Sequence, residues 1–345
     1  MSLHSEILEQ PERLEAQLKD QRAVTEEIAA KLRSLDIHYA FVAARGTSDN
    51  AARYANYLWG NVNDWPVALA APSLFTFYHE PPKLKGALVV GISQSGQSTD
   101  IVSVMTEAKA QGCPTLAITN EPVSPLANSA DFVLNIQAGA EKATAATKTY
   151  TAQLMSIAML SAAMSGSKKA WKDLERVPEW IQECLKREEE VKAGACRYAF
   201  INRAVVLGRG YNYASAFEWA LKLKELTYIT AEPYSSADFQ HGPIAMIQSG
   251  FPVMAIAPEG KVYASMAEVL KRLHSELDAD MVVISNKKEA LTQSVTPIPI
   301  PAGIPEWLTP IVAIVPAQLF TYYLTVGKRF DTEKPRSICK VTVTR

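Results

Sequence analysis

The strongest constraint on this chain is that it contains one pattern twice. An apolar run beginning at Ala40 leads into Arg45-Gly46 and an amphipathic stretch; a run beginning at Ala204 leads into Arg209-Gly210 and another, 164 positions later. A second run, ALVVGI, is followed by a turn at Gly96, and its counterpart PVMAIA by one at Gly260, again 164 apart. A third pair, TLAITN ending at Asn120 and MVVISN ending at Asn286, slips by two further residues. Three strand-and-turn signals at nearly one offset define an internal repeat. In each copy, β-branched runs alternate with helical periodicity, which specifies a parallel sheet covered by helices. The expected fold class is α/β, with two tandem lobes, each a parallel sheet sandwiched by helices.

The repeat places the lobes at 36–165 and 198–330. Residues 1–35 read as a helical lead-in and 166–197 as a charged helical linker interrupted by Pro178. Residues 331–345 form a tail ending in a short strand, KVTVTR. A length of 345 residues with 48% hydrophobic and 21% charged residues supplies two ordinary cores. The net charge of −1, without a basic run, argues against nucleic-acid or membrane-surface binding. Residues 307–327 carry no charge and are long enough to cross a bilayer. Pro310, Pro316 and several polar residues within them point instead to a helix buried in a core. The N-terminus is charged almost from the start and lacks a signal-peptide core. Cys113, Cys184, Cys196 and Cys339 are scattered, with no CxxC and no histidine at ligand spacing. These features predict a soluble, cytoplasmic protein without a structural metal.

Three turns in the first lobe carry hydroxyl groups. Gly46-Thr47-Ser48 follows one strand, and Ser93-Gln94-Ser95-Gly96-Gln97-Ser98 follows the next. A third cluster runs from Thr144 to Thr149. Helix N-termini present unpaired N–H groups and a partial positive charge, so such turns receive anions. Helix capping is the bland alternative, but two adjacent loops so rich in donors favour anion binding. The run SQSGQS lacks the Gly-Lys-Ser/Thr ending of a P-loop, and Tyr213 stands where a dinucleotide fingerprint needs its third glycine. A monophosphate is the expected ligand. In the second lobe the corresponding loop is Ala257-Pro258-Glu259-Gly260, unsuited to phosphate.

The helical segment after Gly210 places Glu218, Lys222 and Glu225 on one face, at spacings of four and three. A surface ion-pair ladder is the ordinary meaning of that spacing. Here Ala220, Leu221, Leu223 and Leu226 leave little of the helix polar, so proton transfer is an equal candidate. His241 sits in the restricted turn Gln240-His241-Gly242-Pro243, and Lys340 lies near the end of the chain.

The segments GTS, SQSGQS, AGAEKATAATKTYTAQL, LKLKELTYITAEPYSSADFQHGP and PRSICKVTV resemble, in order, the sugar isomerase domain family, in particular the isomerase domains of glutamine:fructose-6-phosphate amidotransferases and the related glucosamine-6-phosphate deaminases. The resemblance covers about nine-tenths of the chain, from residue 36 onward. It implies two flavodoxin-like lobes and a phosphate site at Ser93, Gln94, Ser95 and Ser98 with Thr47 nearby. Sugar contacts are implied at Ser48 and at the backbone around Thr144 and Cys339. It implies that Glu225 moves a proton between C1 and C2, assisted by Lys222. It further implies that His241 opens the ring from across a homodimer and that Lys340 forms a Schiff base. No cofactor is implied. Gln97, Ser98 and Ala146 depart from the family pattern. No glutaminase segment or second-position cysteine accompanies these motifs, so the expectation is conversion of glucosamine 6-phosphate to fructose 6-phosphate and ammonia. A non-catalytic phosphosugar sensor, or a deglycase or isomerase for another amino-sugar or fructosamine phosphate, is the alternative.

Overall fold

The recurrent apolar runs become strands with both faces covered, which is why they read as continuous rather than alternating. A computed structural model describes residues 2–340. In the first lobe, β1 (Tyr39–Ala43), β2 (Val67–Leu69), β3 (Ala87–Ile92), β4 (Thr115–Thr119) and β5 (Phe132–Asn135) form a parallel sheet in the order β2-β1-β3-β4-β5. In the second, β6 (Arg203–Gly208), β7 (Thr230–Ser235), β8 (Pro252–Ile256), β9 (Asp280–Ser285) and β10 (Thr296–Pro299) are parallel in the order β10-β9-β8-β6-β7. Taken from the opposite edge, that is the same order. The register repeats too: Val42 faces Val90, and Val206 faces Met254. Val90 faces Leu116 and Met254 faces Val282, which carries the two-residue slip into the structure. The α/β class and the tandem repeat are therefore present in the fold.

Helices α1 (Leu3–Leu8) and α2 (Gln10–Arg33) replace the single expected lead-in helix. Pro11, at the second position of α2, suits a helix start and not a helix interior. Around the first sheet lie α3 (Gly46–Val62), α4 (Ser73–Thr76), α5 (Thr99–Ala110), α6 (Pro125–Asn128) and α7 (Lys148–Ser165). The linker comprises α8 (Lys168–Leu174), α9 (Val177–Leu185) and α10 (Glu188–Cys196), with Pro178 in the first turn of α9. The second lobe adds α11 (Tyr213–Thr227), α12 (Ser236–Gln240), α13 (Tyr263–Ser275), α14 (Lys288–Thr292) and α15 (Thr309–Gly327).

Two compact units result, and neither is contiguous in sequence. One holds the first sheet with residues 12–141, 148–175 and the described end of the chain from 339. The other holds the second sheet with residues 2–11, 142–147 and 176–338. Residues 142–147, which lie between two stretches of the first unit in sequence, group with the second. There the buried Glu6 carboxylate accepts from the Lys142 and Ala143 N–H groups.

Each unit has its own core. In the first, Phe41 and Val89 meet Ile101, Val104 and Met105 of α5; in the second, Val205, Val253 and Val283 meet Met266, Val269 and Leu270 of α13. Full burial of each such side chain contributes about 1.5–3 kcal/mol. Helix α15 occupies nearly all of the uncharged stretch and is the one described helix long and apolar enough to cross a membrane, yet 78% of its most apolar window is buried within the protein. It packs against α9, α10 and α11. Cys113 and Cys184 are core residues, and burial pushes the Cys184 thiol up to about 12. The strand expected at the extreme C-terminus, 341–345, lies outside the described residues.

Candidate functional site

In the first unit, the hydroxyl loops at 46–48 and 93–98 each leave the carboxyl end of a strand and enter a helix, the position where parallel sheets receive ligands. Gly46 has φ +54° and opens α3 directly after β1. Ser48 is buried, and its Oγ accepts from Gln153 Nε2 at 3.0 Å. The other amide atom, Gln153 Oε1, is buried without a hydrogen-bond partner among the described residues.

The loop 93–98 joins β3 to α5. Ser93 Oγ accepts from the Gly96 N–H at 3.2 Å and lies 3.4 Å from Ser98 Oγ, while Ser95 Oγ accepts from the Gln97 N–H at 3.3 Å. From β4, Thr119 Oγ1 donates to the Gln94 carbonyl at 3.3 Å. Gly96 has φ +62°, and a Cβ there would lie 2.0 Å from Ser124 Oγ, so both backbone conformation and space require glycine. Ser98 occupies the N-cap of α5 but makes no side-chain capping bond. Capping alone therefore does not account for its hydroxyl. Beside these loops, the Arg45 Nε donates at 2.8 Å to Oδ2 of the fully buried Asp100.

At the described end of this unit, Lys340 Nζ donates to Glu141 Oε2 at 2.6 Å. Glu141 also accepts from the Thr149 N–H at 3.1 Å and from Thr149 Oγ1 at 2.8 Å. Cys339 is exposed. Thr144 instead belongs to the other unit, where its Oγ1 donates to the Glu333 carbonyl at 3.2 Å.

The second unit gathers Glu218, Lys222 and Glu225 on α11. Lys222 is only 2% exposed, and its Nζ lies 2.5 Å from Glu225 Oε2 and 3.4 Å from Glu218 Oε1. Glu218 is fully buried and Glu225 retains 23% exposure, so the triad has one outward-reaching member. The helix ends at Tyr228 with φ +58°, and the Tyr228 hydroxyl accepts from the Arg336 N–H at 3.0 Å. The Arg336 guanidinium stacks 4.0 Å above the Tyr228 ring. His241 terminates α12 with an exposed side chain, ahead of Gly242 at φ +129°. Its ring has no hydrogen-bond or charge partner among the described residues.

The loop after β8, equivalent to 93–98, is already satisfied from within. The Glu306 carboxylate accepts from the Lys261 N–H at 2.9 Å and from the Val262 N–H at 3.4 Å. It packs where a Cβ on Gly260 would stand, 2.2 Å from Glu306 Cδ. Asn286 Oδ1 takes the Glu259 N–H at 2.7 Å. The loop's anion is thus a side chain of the protein, a feature that Pro258 and Glu259 did not reveal.

Sequence reasoning missed Arg45–Asp100, Glu141 and Glu306. The repeated Arg-Gly pair was a visible signal for the first. For the other two the partners are remote in sequence, and no spacing rule connects them.

Comparison with known proteins is consistent with this geometry. The SIS domain family model matches residues 36–163 and 199–327. Glutamine–fructose-6-phosphate aminotransferase (isomerizing) of Aquifex aeolicus is 35% identical over 344 residues, 98% of this chain and 57% of that protein. Its Thermococcus kodakarensis counterpart is 34% identical over 348 residues, again 98% and 57%. The chain therefore spans a little over half the length of these relatives. Among solved structures, the C-terminal domain of glucosamine-fructose-6-phosphate aminotransferase from Francisella tularensis superposes with a TM-score of 0.85 at 25% identity, covering 96% of this chain and 98% of that one. Glucosamine-6-phosphate deaminase from Thermotoga maritima shares the fold, with a TM-score of 0.74 at 22% identity over 98% of this chain and 100% of that one.

Proposed function

We propose that this chain, which belongs to the SIS domain family, converts glucosamine 6-phosphate and water into fructose 6-phosphate and ammonia. The observation that carries the reading is Lys222, an ammonium buried to 2% between two carboxylates. Such burial is weak support for stability, because desolvation opposes the Coulombic gain. It suits a group that transfers protons. The loop from Ser93 to Ser98, with Thr47, would hold the phosphate through hydroxyl and backbone donors, and Ser48 would contact the sugar.

The chemistry then needs few groups. His241 transfers the proton that opens the pyranose ring. Glu225 removes the C2 proton of the open-chain amino aldehyde and returns it to C1, with Lys222 relaying a proton to O1 as the amine loses one. The product is a C2 ketimine, which water hydrolyses to the ketone and ammonia. Lys340, whose Nζ donates to Glu141 Oε2 at 2.6 Å, is the amine that would take the imine in exchange. Deamination is the direction that requires only water beside the sugar. The exposed ring of His241 supports a role in a partner subunit's site, making the active species a homodimer in the cytoplasm.

A coupled assay for ammonia and fructose 6-phosphate tests the reaction. Equimolar release of the two from glucosamine 6-phosphate is the expected result; no turnover of any 2-amino-sugar phosphate would overturn it.

A further inference from the structure

Arg45 is the last residue before the Gly46-Thr47-Ser48 turn, and Asp100 lies two residues beyond Ser98. Their 2.8 Å ion pair therefore ties the entrance of one hydroxyl loop to the exit of the other. The two partners are placed unequally. The Asp100 side chain is fully buried, whereas that of Arg45 is 51% exposed. Asp100 Oδ1 also accepts from the Ile101 N–H at 2.9 Å, which fixes the carboxylate on the first turn of α5. Arg45 uses only Nε in this pair, and among the described residues its two terminal nitrogens have no partner.

A stability role alone fits this poorly. A carboxylate in the first turn cancels part of the positive helix end that an anion would otherwise meet. The loop itself contains hydroxyls, two amides and glycine but no cation. An arginine fixed through Nε restores the positive charge and leaves its terminal N–H groups for an oxyanion. The second lobe offers an internal contrast. Arg209, at the equivalent position, meets the neutral Ser265 hydroxyl, and the neighbouring loop receives its anion from Glu306. A charged, buried anchor accompanies the arginine only in the lobe whose loop is not filled by the chain's own carboxylate.

We propose that Arg45 is a further ligand of the substrate phosphate, with Asp100 as the residue that positions it. The inference rests on the phosphosugar reading above, but its test needs no turnover. Titration calorimetry with inorganic phosphate is carried out on the unaltered chain, Arg45→Gln, Arg45→Lys and the double variant Arg45→Gln/Asp100→Asn. The double variant matters because Arg45→Gln alone leaves a buried carboxylate unpaired and can unfold the lobe. Loss of a charge-assisted contact should weaken phosphate binding about 10- to 100-fold in both glutamine variants. Arg45→Lys should recover part of the loss, since it keeps the charge without the fork. If the folded double variant binds phosphate as tightly as the unaltered chain, the pair is a structural tie and the proposal fails. Absence of phosphate binding by the unaltered chain overturns it as well. Weakened binding in a protein that releases no ammonia would retain Arg45 as an anion ligand while removing the proposed reaction. Normal turnover with unchanged phosphate affinity in the double variant would do the reverse.

Discussion

The two lobes share strand order and register but carry opposite halves of the candidate chemistry. After β3 the first lobe has a loop of serines around the left-handed Gly96; after β8 the second has a loop whose N–H groups are taken by Glu306. On the following comparison the advantage reverses. Glu218, Lys222 and Glu225 of α11 correspond by the 164-residue offset to Tyr54, Leu58 and Asn61 of α3. Tyr54 and Leu58 are fully buried core residues. One backbone therefore carries either a candidate anion cradle or a candidate acid–base helix, and a handful of side chains decides which. What the sheet fixes is position; what the substitutions fix is charge.

The sharpest way to break this contrast is to remove the base. Glu225→Gln should lower kcat about 10³-fold while phosphate affinity stays within twofold, because a positioned general base contributes roughly 10²- to 10⁴-fold. Steady-state kinetics paired with phosphate titration checks both halves. Equal losses in kcat and phosphate affinity would mean that the lobes are not specialised as described.

Gly96→Ala attacks the other lobe. A Cβ 2.0 Å from Ser124 Oγ, on a residue at φ +62°, forces the loop out of shape. The strain is of order 1–3 kcal/mol. KM for the sugar phosphate should rise about 10-fold or more, with a lower melting temperature and a smaller change in kcat.

His241 tests whether a site is shared between chains. Mixing a His241→Ala chain with a Glu225→Gln chain, each inactive alone, should restore up to about one quarter of the unaltered activity per total chain after random re-pairing in a symmetric dimer. No recovery, despite demonstrated subunit exchange, would place His241 in its own subunit's site.

The smallest effect concerns the filled loop. Glu306→Ala removes the acceptor of two N–H groups and should cost about 1 kcal/mol of stability. KM should not change, and phosphate stoichiometry should remain one per chain, because Pro258 and Glu259 still disfavour an anion. A second phosphate would show that Glu306 alone separates the loops.

Much of the fold was legible because a repeat measures itself. The offset between Arg45-Gly46 and Arg209-Gly210 anticipated the paired registers of β1 with β3 and β6 with β8. The slip at Asn120 and Asn286 anticipated the register of β4 and β9. Local spacing also placed Glu218, Lys222 and Glu225 on one helical face. Contacts that close over long separations were not legible. Glu306 reaches its loop from 45 residues away, and Lys340 reaches Glu141 from 199. Nor could periodicity show that Thr144 leaves its neighbours for the other unit, since Glu6 and Glu333 hold that segment from opposite ends of the chain. The hydroxyl-rich loops were visible as a candidate anion site, but the buried carboxylate behind Arg45 emerged only from packing.

The central claim is that Glu225 moves the C2 proton of a phosphosugar. Proton NMR of glucosamine 6-phosphate in heavy water with catalytic protein tests it most directly. The account predicts loss of the C2 proton signal, with that hydrogen, or deuterium where it exchanges on Glu225, at C1 of the fructose 6-phosphate formed, both abolished by Glu225→Gln. A sugar phosphate that binds yet keeps its C2 proton through prolonged incubation would contradict the account.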